Sequence, residues 1–193
     1  DYGAELSKMR ASGADAVYIF LPGGLGINFI KQFVGAGLSK DMTLFGPGFS
    51  GDEDVIKAVG EPMLGMFNTA QWGHDLNNAA NKRFVADFQK DYGRLPTLYA
   101  AQGYDAARLM DAAVRDVKGN LDNKEALRKA LEAAKFDSVR GAFKFNTNHF
   151  PIQDYYLRII TRDTKGRITN RTLGTVFKSH ADAYAANCKM PGL

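Results

Sequence analysis

Few stretches of this sequence carry residues whose types and spacing could do chemistry. Gly24-Leu25-Gly26 lies between an apolar run and a helical pattern, where a dinucleotide's pyrophosphate could meet a helix N-terminus. The full fingerprint needs a third glycine three residues after the second, and Phe29 stands there. No acidic residue follows the second strand to hold a ribose, because that strand ends in Phe45-Gly46. The segment fits a tight strand-to-helix turn, or a loop whose bare backbone lets a ligand approach. Gly48-Phe49-Ser50-Gly51 comes near a nucleophile elbow, but Asp52 stands where that motif requires glycine. Ser50-x-Asp52 is more simply a helix cap. His74, His149 and His180 lie far apart, with no metal-ligand spacing to another His, Cys or carboxylate. No Cys–His or Ser–His arrangement supports a nucleophile. The expectation is a chain without catalytic residues, metal or cofactor, and not an enzyme. What remains is aromatic and polar: Phe49, Gln71 and Trp72, with Tyr99 and Tyr104 as further candidates. Trp72, the only tryptophan, ends a predicted strand. It either plugs the edge of a core or stacks on a ligand.

The elements that must position these residues follow from periodicity. Glu5 to Ala11 is the end of an amphipathic helix, stopped by Gly13. Ala16 to Leu21 is a continuous apolar run that suits a strand buried on both faces of a parallel sheet. Pro22-Gly23-Gly24 breaks it, and a helix runs from Gly26 to Ala36. A second strand spans Met42 to Phe45, Asp52 caps a short helix to Val59, and a third strand spans Met66 to Trp72. Strands alternating with helices imply a parallel sheet flanked by helices. Ligands of such sheets sit beyond the carboxyl ends of the strands. Those ends here are the loops at Leu21 to Gly24, Gly46 to Ser50 and Gln71 to Gly73. Helices are expected over Asn78 to Tyr92, Pro96 to Val117 and Lys124 to Lys135, with no strand among them. The last stretch is β-rich. Gly141 to Phe145 alternates, and Tyr155 to Thr161 and Arg171 to Val176 form a hairpin about the turn Asp163-Thr164-Lys165-Gly166. Asp182 to Ala186 suits a final helical turn.

Length and composition allow a sizeable core. The chain has 193 residues, 45% apolar and 24% charged, enough for one domain or one domain plus part of another. No apolar run approaches the roughly 18 residues of a membrane span. The chain begins at Asp1 without a signal peptide, so a processed, trimmed or partial polypeptide is expected. The net charge is +4, but basic residues alternate with acids, as in Lys124-Glu125-Ala126-Leu127-Arg128-Lys129, which is a solvated helix face. No nucleic-acid partner is expected. Cys188 is the single cysteine, and in an oxidising compartment an odd cysteine points to a partner elsewhere.

A family resemblance then enters on particular residues. Ala14-Asp15-Ala16-Val17-Tyr18 with Pro22-Gly23-Gly24, Gly35-Ala36-Gly37-Leu38 and Leu44-Phe45-Gly46-Pro47-Gly48 come first. Asn81-Lys82-Arg83-Phe84, Tyr92 to Pro96, Tyr99 to Ala106, Ser138-Val139-Arg140-Gly141 and Phe143-Lys144-Phe145 follow in order. Together they resemble the C-terminal portion of type I periplasmic solute-binding proteins of the branched-chain amino acid (Leu/Ile/Val-binding) ABC transporter family. The resemblance implies an α/β fold, truncated at the N-terminus, with two lobes joined by three crossovers and a ligand between them. It implies that residues 1–93 are a second-lobe α/β segment, 94–150 first-lobe helices, and 151–193 a return to the second lobe with a β-hairpin and tail. It further implies the substrate-binding component of an ABC importer, periplasmic once its signal peptide is removed, with an ABC permease as partner. The ligand-binding residues would be Leu21, Pro22, Gly23, Gly24, Gly48, Phe49 and Trp72. A missing N-terminal lobe, or self-association of the exposed helices, is expected, and Cys188 could have lost its partner with that lobe.

The resemblance also bears on specificity. Members that bind aliphatic amino acids usually carry an acidic residue just after the Gly-Pro of the second loop, and a tyrosine on the first. Here Gly48 and Phe49 follow that Gly-Pro, and Pro22 replaces the tyrosine. Without a counter-charge an ammonium group is costly to bury. An acid lacking an α-amino group is therefore expected, and Phe49 and Trp72 suit an aromatic ring, with stacking worth about 0.5–1.5 kcal/mol beyond burial. The alternatives are an aliphatic amino acid as ligand, a ligand-sensing receptor domain of the same fold, and a small α/β enzyme.

Overall fold

A computed structural model describes residues 1–188 of the chain. These divide into two compact units, one of residues 1–73 with 156–174, the other of residues 74–155 with the stretch from Thr175 on.

The first unit is a sheet with helices packed on it. Its elements are α1 (Gly3–Ser12), β1 (Ala16–Tyr18), α2 (Gly23–Gly35), β2 (Thr43–Pro47), α3 (Glu53–Val59) and β3 (Phe67–Ala70). To these it adds the second part of β5 (Pro151–Arg162) and the first part of β6 (Ile168–His180). β1, β2 and β3 run parallel, with Tyr18 beside Phe45 and Phe45 beside Phe67. β5 joins β3 antiparallel, Phe67 opposite Ile159 and Ala70 opposite Tyr156, and β6 pairs with β5. The alternating helix and strand order expected from periodicity is thus present, as a mostly parallel sheet flanked by helices. Gly13 ends α1 in the left-handed conformation, as expected of a helix-stopping glycine.

One face of this sheet carries the core. Phe29, Ile30 and Phe33 of α2 meet Leu44, Ile56 and Ile160, all nearly or fully buried. Their spacing on α2 is one helical face, which is why this segment is a helix against a sheet. The other face is less covered. Tyr18 and Phe20 are 65% and 67% exposed, while Phe45 stacks on Phe67 at 5.2 Å between ring centroids. The expectation that residues 16–21 form a strand buried on both faces is therefore corrected. β1 covers only Ala16–Tyr18 and stands at the end of the strand order, so one edge and one face lack neighbours among the described residues.

The second unit holds α4 (Ala79–Tyr92), α5 (Leu98–Asp116), α6 (Lys124–Ala133) and β4 (Lys144–Phe145), with the first part of β5 and the last part of β6. Each helix has a side-chain cap. Asn78, Thr97 and Asn123 accept from the amides of Asn81, Ala100 and Ala126. Gly93 closes α4 in the left-handed conformation. Phe84 of α4 tilts against Tyr104 of α5 at 4.6 Å. This packing groups α4 with α5 and α6, and the first stretch of the other compact unit ends at Gly73. Asp105 is buried and ties the next loop to α5, accepting from Ser138 Oγ (2.5 Å), the Val139 amide (2.9 Å) and Arg140 Nε (2.9 Å). β4 pairs with β5, Lys144 opposite Ile152. The expected hairpin is longer than its sequence signal, and the expected strand at 141–145 shrinks to β4. No helix among the described residues is long and apolar enough to cross a membrane.

Candidate functional site at the carboxyl edge of the sheet

The loops that follow β1, β2 and β3 meet in the first unit. Leu21 leads from β1 into α2, with Pro22 at the N-cap. Its carbonyl tucks under the first turn of that helix, so a Cβ on Gly26 would stand 2.4 Å from Leu21 O. That close approach is the structural use of the glycine that mimics a nucleotide fingerprint. After β2 the chain makes a 3-10 turn over Gly48–Gly51. Ser50 Oγ donates to Leu21 O at 3.1 Å, and the Phe49 ring meets the Phe20 ring edge-on at 5.1 Å. The first and second loops are joined by these contacts.

The second and third loops are joined from beneath by Arg158 of β5, which is 1% exposed. Its Nη2 donates to Gly48 O (3.3 Å), its Nη1 to Trp72 O (3.1 Å) and its Nε to Asn68 Oδ1 (2.8 Å). Asn68 Nδ2 continues to Asn170 Oδ1 (2.8 Å), and Asn170 Nδ2 donates to Gly51 O (2.7 Å) and Glu53 Oε1 (3.1 Å). A buried guanidinium and two buried amides thus fix the carbonyls of both loops, satisfying groups that would be costly to bury alone. Sequence reasoning missed this hub. Its one local signal is a charge inside an apolar strand, Arg158 between Leu157 and Ile159.

The expected ligand-binding residues take different places. Pro22, Gly23 and Gly24 are exposed, Leu21 and Phe49 half-buried, and Gly48 buried against β3. Trp72 is 1% exposed. Of its two readings the buried ring fits the plug, since it offers no face to an arriving molecule. Gln71 is half-buried on the third loop. Tyr99 and Tyr104 belong to the second unit, Tyr99 exposed and Tyr104 packed on Phe84. Asp52 stands at the N-cap of α3, but its carboxylate does not make the expected cap bond; the side chain is buried instead. The residues from Leu21 to Leu25 and Gly48 to Gly51 include no acid or base. Among the described residues no three His, Cys, Asp or Glu side chains gather as a metal site requires. Among the described residues concavities lie elsewhere, of about 660 Å³ beside Arg83, Tyr104 and Phe143, about 440 Å³ beside Asp111, Arg115 and Lys135, and about 350 Å³ beside Met42, Leu64 and Phe67. None of these three includes a residue of the three loops.

Comparison with known proteins bears on the family and the fold. Residues 1–165 match the family described as periplasmic binding protein. A Leu/Ile/Val-binding protein homolog of Brucella melitensis is 27% identical over 183 residues, covering 92% of this chain and 47% of its own length. A solute-binding protein of an ABC transporter from R. palustris, solved in complex with benzoate, is 35% identical with a TM-score of 0.88, over 98% of this chain and 50% of that one. Another from Rhodopseudomonas palustris, in complex with 3,4-dihydroxybenzoic acid, is 29% identical with a TM-score of 0.83, over 95% of this chain and 50% of that one. The chain spans about half the length of the curated relatives it matches.

Proposed function

Because the chain belongs to the periplasmic binding protein family, in its branched-chain amino acid ABC transporter branch, we propose that it is part of the substrate-binding component of an ABC importer and captures a small aromatic carboxylate. Relatives of this kind are solute-binding proteins of transporters and not enzymes. The proposed ligand contacts are Leu21, Pro22, Gly23, Gly24, Gly48 and Phe49, with Trp72 supporting the edge from within. We assign the first compact unit to one lobe of the family's fold and place the ligand at its sheet edge, with the opposing wall supplied by further polypeptide or a second copy. An ABC permease is the proposed partner. The family implies a periplasmic or extracellular location, and the periplasm is the one proposed.

One observation carries the choice of ligand. Phe49, half-buried against Phe20, stands on a loop with no carboxylate to pair with an ammonium. An apolar ring can be covered there, whereas an α-amino group would lose its hydration without compensation. Relatives solved with benzoates support the same class. The amino-acid reading rests on the Leu/Ile/Val-binding relatives. Thermal denaturation in the presence of benzoate or leucine separates the two. A ligand at 100 times its dissociation constant adds about 2.7 kcal/mol, or roughly 5–10 °C of midpoint for a chain of this size. A shift with benzoate alone is expected; a shift with leucine alone would overturn the ligand class.

A further inference from the structure

The turn between β4 and β5 carries a residue that its backbone does not suit. Asn146 N donates to Phe150 O at 2.8 Å and His149 N to Asn146 O at 2.9 Å, so Thr147, Asn148 and His149 form a three-residue hairpin loop. His149 closes it at φ +61°, in the left-handed region. Loops of this kind place that conformation at their last residue, where glycine is unstrained and a side chain is not. The imidazole that stands there instead reaches α6. Its Nε2 lies 3.5 Å from Oε1 of Glu132, and that oxygen is buried with no hydrogen-bond partner among the described residues. The last turn of a helix disfavours a carboxylate, and α6 has no base of its own there. The other charges on the neighbouring elements are engaged or exposed. On α6, Lys129 pairs with Glu125 at 2.7 Å and Arg128 is exposed. On α5, Arg115 pairs with Asp111 at 3.0 Å and Asp116 with Lys135 at 3.5 Å. Lys144 of β4 is exposed, and Asp154 of β5 accepts from the Ser179 amide at 2.7 Å. After β5, His180 meets the rings of Tyr155 and Phe177, and Asp182 accepts from Asn148 Nδ2 at 2.6 Å.

We propose that His149 and Glu132 form a proton-operated latch that fastens the β4–β5 turn to the end of α6. A neutral imidazole whose Nε2 carries no proton leaves Glu132 Oε1 buried without a donor, whereas the charged ring donates from both nitrogens. Taking up the proton gives the carboxylate its donor and the helix end its cation. A histidine changes charge between pH 5 and 8, so the latch closes on the acid side of that range and opens as pH rises through it. Asn148 of the same turn is already tied to Asp182, so closure draws α6, the turn and the stretch after β6 together. The latch lies within the second unit and does not depend on the proposed function.

The test is a double-mutant cycle on the whole chain, read as thermal midpoint at pH 8 and at pH 5. Parent, Glu132→Gln, His149→Gly and the double variant are compared, which cancels the titration of other groups. Glycine relieves the backbone at position 149, so His149→Gly should melt at or above the parent at pH 8. The coupling between the two positions should be absent at pH 8 and amount to about 2 °C at pH 5, in favour of the parent. Coupling of equal size at both pH values would overturn the proton dependence, because a neutral imidazole would then make the contact. No coupling at pH 5 would show that the two side chains do not meet. A second measurement needs no variant. Carbon resonances of the Glu132 carboxyl and the His149 ring are followed in the unaltered chain from pH 8 to pH 5, and the two should move together. A Glu132 carboxyl that stays still while the His149 ring changes would overturn the latch.

Discussion

A Cβ placed on Gly48 would lie 2.7 Å from the Cβ of Ala70 and 3.0 Å from the Thr69 carbonyl oxygen. The loop after β2 therefore seats directly on the end of β3, and only the smallest residue allows it. Gly48→Ala is expected to cost about 1–3 kcal/mol by overpacking, a midpoint lower by roughly 2–12 °C. Ala70→Gly in the same chain removes one of the two clashes, so the double variant should recover part of the loss. A Gly48→Ala chain that melts with the parent would show that this loop does not seat on β3.

Asp105 holds the second unit together in a comparable way. Its side chain is 1% exposed and that of Arg140 13%, with 2.9 Å between Oδ2 and Nε. Arg140 also lies over the Phe143 ring at 4.2 Å and donates to Gln153 at 2.8 Å. Asp105→Ala leaves a largely buried guanidinium without its carboxylate, for which about 3–5 kcal/mol is the expected loss. Asp105→Ala with Arg140→Met should regain much of it in urea denaturation. Equal stability of the single and double variants would mean that the ion pair is not what fixes this loop.

The turn of the hairpin should sense acid. Burial pushes the Asp163 carboxyl up, but the Arg167 amide, the Arg167 side chain and the Lys165 amide outweigh it and hold it below its ordinary value. A carboxylate depressed in the folded state stabilises above its unfolded value, and that stability is lost as pH falls through the folded one. An asparagine in place of this aspartate keeps an oxygen for both amides, which lie 2.9 Å from Oδ1, but loses the charge. The midpoint gap between the parent and Asp163→Asn should thus be open at neutral pH and close as pH drops below about 4. A gap independent of pH would contradict the charge's role.

Much of this architecture was legible because local chemistry decides it. Gly13 and Gly93 end helices, Asn78 opens one, and the alternation of strand and helix up to Ala70 follows from apolar spacing. The burial of β1 was not legible. The run Ala16 to Leu21 is apolar enough for a two-sided strand, but burial depends on what lies beside it, and β1 has β2 on one side only. The grouping of α4 with α5 was not legible for a similar reason, since the Phe84–Tyr104 packing behind it joins residues 20 apart. At the site, loop positions were readable and their support was not. Arg158 lies 110 residues from Gly48 and 90 from Asn68, so no spacing in the sequence announces the hub. Trp72 shows the limit of reading residue type alone, because an aromatic at a strand end suits a plug as well as a platform.

The ligand class is the central claim, and calorimetric titration of the chain with benzoate and with leucine tests it most directly, alongside Phe49→Glu. The parent should give saturable heat with benzoate and none with leucine. A carboxylate at position 49 would meet the ligand's own charge, so Phe49→Glu should weaken benzoate by about tenfold or more. Tighter binding of leucine than benzoate by the parent chain would contradict the account.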